Sequence, residues 1–173
     1  MATLQSDDFE LFGLPRQFAQ DRSLIDARWK DLQREAHPDK FSAQGTAAQR
    51  LAMQWSVRIN EAYQRLRDPM RRAAYLCELH GVSVKAEDNT AMPTEFLMQQ
   101  MAWREALEEA EDLSALDALS KEVGAARMCA LSSFDWLLDE KGDYAGAVQQ
   151  VRSLMFIERF AQDVDARYES MES

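Results

Sequence analysis

REAHPDKFSAQG, residues 34–45, interrupts a helical pattern with His37-Pro38-Asp39. Upstream, Ile25, Trp29, Leu32 and Ala36 recur at helical spacing and fall within a stripe about 60° wide. Asp21 or Ser23 is a suitable N-cap for that helix. Lys30 and Arg34 stand on the opposite side, one turn apart. The helix must stop before Pro38, because a residue preceding proline is pushed out of the α region. Downstream, Thr46-Ala47-Ala48-Gln49 fits a capping box. The helix it opens has the stripe Ala52, Trp55, Ile59, Ala62, Tyr63 and Leu66, and it ends at Asp68-Pro69. Two long helices joined by a loop of about nine residues should pack antiparallel, with the tripeptide at their tip. In the residues alone, that tip is either a plain exposed turn or a working loop.

The pattern extends outward on both sides. A short helix is expected over Phe9–Phe12, and another from Met70 to His80, closed by Gly81. GVSVKAEDNTAMP, residues 81–93, holds no helical period and ends at Pro93-Thr94, a plausible helix start. Three longer helices follow, at about 94–111, 114–140 and 143–169. Ser114 is read as the cap of the second, and Lys141-Gly142-Asp143 as a stop followed by a new cap. Short connections make these an antiparallel three-helix bundle. The fold class is therefore all-α, divided into residues 1–81, a linker 82–93, and 94–173.

Charge divides at the same place. Residues 1–81 carry 12 basic and 11 acidic side chains, and residues 82–173 carry 8 and 19. The acidic second half argues against nucleic-acid binding, which needs a basic surface. The opening MATLQSDDFELFG lacks the basic start and apolar core of a signal peptide, and no run of about 18 apolar residues occurs, so a cytoplasmic protein without membrane contact is expected. Cys77 and Cys129 lack metal-ligand spacing and are read as buried free thiols, with no metal and no cofactor. His37 and Asp39 have no nucleophile or metal cluster beside them, so an acid–base catalytic pair is disfavoured and the chain is read as a non-enzyme.

DDFELFGLP, the helix leading into HPDK, and INEAYQRLRDPMRRAAYL together resemble the J domain of DnaJ-type co-chaperones, over residues 7 to about 80. The resemblance implies a four-helix domain that binds an ATP-loaded DnaK-class chaperone and stimulates its ATPase. The implied contact residues are His37, Pro38, Asp39 and Lys40, with the basic face Lys30 and Arg34 and the nearby Arg28. Asp31 interrupts the basic run that many J domains carry, and Ala36 replaces a common aromatic.

The Gly-rich and Cys-rich segments that follow the J domain in DnaJ are absent. LFGLP, HPDKF, YLCELHGV and EFLMQQMAWREALEE instead resemble the HscB family, J-domain co-chaperones of iron–sulfur cluster assembly. On the helix 94–111, Phe96, Trp103, Leu107 and Ala110 share one side, while Leu97, Met98 and Met101 form a second apolar stripe with Glu105 near its edge. On the last helix Ala147, Val151, Leu154 and Met155 cluster, and Phe156 points away. By periodicity the second stripe is either buried or presented to a partner. The resemblance implies the latter. Leu97, Met98, Met101, Glu105 and Phe156 match positions that bind the scaffold IscU, and the implied chaperone partner is HscA. Ala102 stands where the family often has an acidic residue.

Overall fold

The structure, a computed structural model, describes residues 2–85 and 92–173, so residues 86–91 of the expected linker lie outside it. Among the described residues there are seven α-helices and no strand: α1 Asp8–Phe12, α2 Arg22–Ala36, α3 Thr46–Arg67, α4 Pro69–Leu79, α5 Thr94–Glu109, α6 Leu113–Ser132 and α7 Tyr144–Glu172. The chain divides into two compact units, Met1–Leu76 and Cys77–Ser173.

In the first unit, hydrogen bonds between α2 and α3 run from Arg22 with Arg67, through Tyr63 with Asp26 and Trp29 with Asn60, to Ser56 with Ala36. The pairing partner falls as the residue number rises, which defines an antiparallel hairpin. Its core is Phe9, Phe12, Ile25, Ile59, Ala62, Leu66 and Ala73. Asp21 is the α2 cap, its carboxylate accepting from Ser23 N at 2.9 Å. Two expectations are corrected. Thr46 is the first helical residue of α3, and the cap position belongs to Gly45, at φ 97°, without a side-chain bond. A chain reversing at that angle favours glycine, so the capping box does not form. Trp29, Leu32, Ala36 and Trp55 are half-buried, and only Ile25 of the α2 stripe is fully enclosed. The short α1 covers only part of the hairpin. Its distal end keeps a cavity of about 460 Å³ lined by Leu32, Ala36, Phe41 and Trp55.

A buried charge cluster ties α1 to the hairpin. Asp8 is fully buried; Arg58 Nη1 lies 2.7 Å from its Oδ1 and Arg65 Nε 2.6 Å from its Oδ2. The Asp8 backbone N–H donates to Tyr75 Oη at 3.0 Å, which brings α4 to the same point. A buried carboxylate is tolerable only with such partners.

In the second unit α6 and α7 are antiparallel, joined by Arg127–Glu158 and by a short Tyr168–Asp117 hydrogen bond. Trp103 stacks on Phe160, and Arg167 donates to Ala110 O, so α5 runs alongside α7 in the same direction. Trp103, Leu119, Val123, Ile157, Phe160 and Val164 form the core. Corrections arise here as well. Asp112 caps α6, accepting from Ala115 N at 2.8 Å, and Ser114 lies inside the helix. The expected continuous helix to residue 140 ends at Ser132, and Asp135–Glu140 winds as a π-helix. Met155 is exposed, and so is Cys129. Cys77 is buried, and burial pushes its thiol up to about 11.

Candidate functional site

His37 does two local jobs. With φ −62° and ψ 128° it ends α2 in extended conformation, as a residue before proline must. Its Nδ1 then accepts from Asp39 N at 3.2 Å, capping a 3-10 turn over Pro38–Gln44. Lys40 N donates to His37 O at 3.0 Å, and Ser42 Oγ to Asp39 O at 3.1 Å. No residue of this turn is buried. Asp39 is more displayed than His37, its side chain 91% exposed against 59%. The loop is stiff by proline and local bonds, and it projects its polar groups into solvent.

Four side chains absent from the sequence-based site, Trp29, Gln33, Ser56 and Asn60, hold the loop's base. Ser56 Oγ donates to Ala36 O at 3.3 Å. Gln33 Nε2 donates to Asn60 Oδ1 at 2.6 Å, and Trp29 Nε1 to the same oxygen at 3.0 Å. Trp29 also stacks on Tyr63 at 4.5 Å. At the other end of α2, Tyr63 Oη donates to Asp26 at 2.6 Å and holds that carboxyl below its usual range, with Arg22 adding to the effect. Asn60 lies in the motif already singled out, but its polar role depends on a neighbour 27 residues away.

The basic residues divide into two groups. Lys30 and Arg34 are exposed on one flank of α2, Arg34 lying 3.5 Å from Asp31. Arg28 lies on the other flank, beside Gly13 at the end of α1, and does not join them. Lys40 is exposed in the loop itself.

The second candidate surface is on α5. Leu97, Met98 and Met101 are 46%, 64% and 71% exposed, and Glu105 is exposed one turn on. The helix therefore carries an unpartnered apolar stripe opposite the face that packs through Trp103. Phe156 does not share that openness. It is half-buried, stacked with Trp103 and Phe160 and edge-on to Phe96, with the Arg104 guanidinium 5.6 Å over its ring. Arg104 was not among the sequence-derived candidates. It is a lone cation in an acidic stretch, and spacing alone did not tie it to an aromatic on another helix.

Comparison with known proteins agrees with both halves. The profile described as the HSCB C-terminal oligomerisation domain matches residues 92–165. A co-chaperone protein HscB homolog of Burkholderia multivorans is 48% identical over 176 residues, spanning 100% of each chain. That of Burkholderia thailandensis is 49% identical over 175 residues, 99% of each. Among solved structures, chaperone HscB from Vibrio cholerae superposes with a TM-score of 0.82 at 35% identity, covering 96% of this chain and 99% of its own. Human co-chaperone HscB superposes at 0.88 with 25% identity, covering 96% and 84%. With a J domain at its N-terminus and a helical bundle after it, the chain belongs to the HscB co-chaperone family.

Proposed function

We propose that this protein stimulates the ATPase of the DnaK-class chaperone HscA and delivers to it the iron–sulfur scaffold IscU. His37, Pro38, Asp39 and Lys40 make the chaperone contact, with Lys30 and Arg34 steering the approach to an acidic partner surface. Arg28, on the far flank, is left out of this contact. Leu97, Met98, Met101 and Glu105 hold the scaffold, with Phe156 at the edge of that surface. The chain supplies no chemistry of its own; hydrolysis occurs in the partner. Carrying client and J domain in one chain raises their effective concentration at the chaperone.

The observation that carries this reading is the loop. In a member of a co-chaperone family, an exposed carboxylate and imidazole sit on a proline-stiffened tip, braced from below and excluded from the core. Such a tip contributes little to stability and loses little entropy when it docks. The test is steady-state ATPase of HscA, with and without scaffold. Asp39→Asn and His37→Gln should abolish stimulation while circular dichroism and scaffold binding stay unchanged. Full stimulation by a folded Asp39→Asn variant overturns the proposal.

A further inference from the structure

A cavity of about 340 Å³ opens within the second unit, between α5, α7 and the chain at Val84 and Lys85. Residues 82–173 hold 19 acidic and 8 basic side chains, yet the described lining of this cavity has Lys85, Arg152 and Arg159 and no carboxylate. Its apolar wall includes Phe96, Met155 and Phe156. Arg104 reaches the same Phe156 ring from its own place on α5. Four cationic side chains thus gather around one aromatic in a bundle that is otherwise strongly acidic. None of the four makes an ion pair among the described residues.

Arg152 is held in place but meets no anion among the described residues. Its Nε donates to Val84 O at 3.1 Å, and its buried Nη1 has no hydrogen-bond partner among the described residues. A desolvated guanidinium N–H without an acceptor is costly. An incoming carboxylate relieves that cost with a charge-assisted bond. The apolar wall and the link to α5 favour a protein segment over a small free anion. Leu97 and Arg104 are seven residues apart, two turns along one face of α5. Arg104 therefore connects the exposed Leu97–Met101 stripe to Phe156 and the cavity behind it.

We infer that this cavity receives an acidic side chain, flanked by an apolar residue, from the client scaffold. The inference rests on the client reading above and adds a charge pattern to it. The client should present a carboxylate toward Arg152 and Arg159 and a basic group toward Glu105. Opposite charges at two ends of one apolar contact fix its register and exclude a reversed orientation.

Calorimetric titration of the iron–sulfur scaffold into the full chain tests this, at low and high salt. Arg159→Glu should weaken binding about tenfold and flatten its salt dependence. Arg159→Lys should stay within about threefold of the parent, and Arg152→Glu with Arg159→Glu should weaken binding further than either alone. Arg159 is exposed, so the single variant decides the matter if the double variant melts early. Leu97→Ala is run in parallel. If Leu97→Ala weakens binding and Arg159→Glu does not, the cavity inference is wrong and the client reading stands. If the parent chain binds no scaffold, both fall. Saturable binding of inorganic phosphate that Arg159→Glu removes, with scaffold affinity untouched, assigns the cavity to a small anion and also overturns the inference.

Discussion

Asp8 ties three helices of the first unit together at one buried point. It is fully buried, held by Arg58 and Arg65 of α3, and its backbone N–H is bonded to Tyr75 of α4. Removing one member of a buried ion cluster leaves the others desolvated and uncompensated, at about 3–5 kcal/mol. Asp8→Ala should therefore lower the urea midpoint sharply by that measure, although it lies far from the loop in sequence and touches no partner. Asp39→Asn should leave the same midpoint unmoved. These two variants separate stability from the proposed chaperone contact within one small unit. Sequence pointed to Asp39 through its motif. It gave no sign of Asp8, because the two arginines that justify burying a carboxylate lie 50 and 57 residues further along and meet it only in the folded state.

Helix positions followed closely from periodicity and punctuation, and their ends did not always. At α2 the first of two suggested caps, Asp21, is the one in use. At α6 Asp112 and Ser114 both have cap chemistry, and Asp112 takes the role because its extended backbone, at φ −140° and ψ 169°, lets the carboxylate turn back onto Ala115 N. Asp112→Ala should cost about 1 kcal/mol in thermal or urea melts, and Ser114→Ala should be silent. The change from α6 to the π-helix at Asp135–Glu140 has no proline or glycine to announce it. Burial of Phe134, Leu137 and Leu138 accompanies the change of pitch. Such a register shift is set by packing and leaves no local signal. The same is true of α7. Ala147, Val151 and Leu154 form one buried stripe, but Phe156 lies on another side, half-buried against Phe96 and Trp103 of α5, while Met155 stays exposed.

Over the whole molecule, the two proposed contacts sit on parts that stability does not need, with one exception. Leu97, Met98 and Met101 are exposed and lie outside the bundle core. Leu97→Ala should weaken scaffold binding without moving the melting temperature. Phe156→Ala differs, because that ring is stacked on Trp103 and Phe160. It should cost about 2 kcal/mol, less than truncating a fully buried phenylalanine, so its binding defect must be read after correcting for the folded fraction. Calorimetry of both variants, paired with their melts, separates the two effects. Periodicity showed the second stripe on α5 but left it either buried or presented; the family resemblance pointed to presentation, and the stripe is exposed. The basic cavity was not legible, since Lys85, Arg152 and Arg159 are spread over 75 residues and converge only through the fold.

One consequence of the His37 cap concerns its proton. Because Nδ1 accepts from Asp39 N, the neutral ring must carry its hydrogen on Nε2, the edge facing away from the chain. The tip thus displays an N–H donor and, two residues on, a carboxylate acceptor. The tautomer of one imidazole and the shape of the turn it caps are therefore tied together.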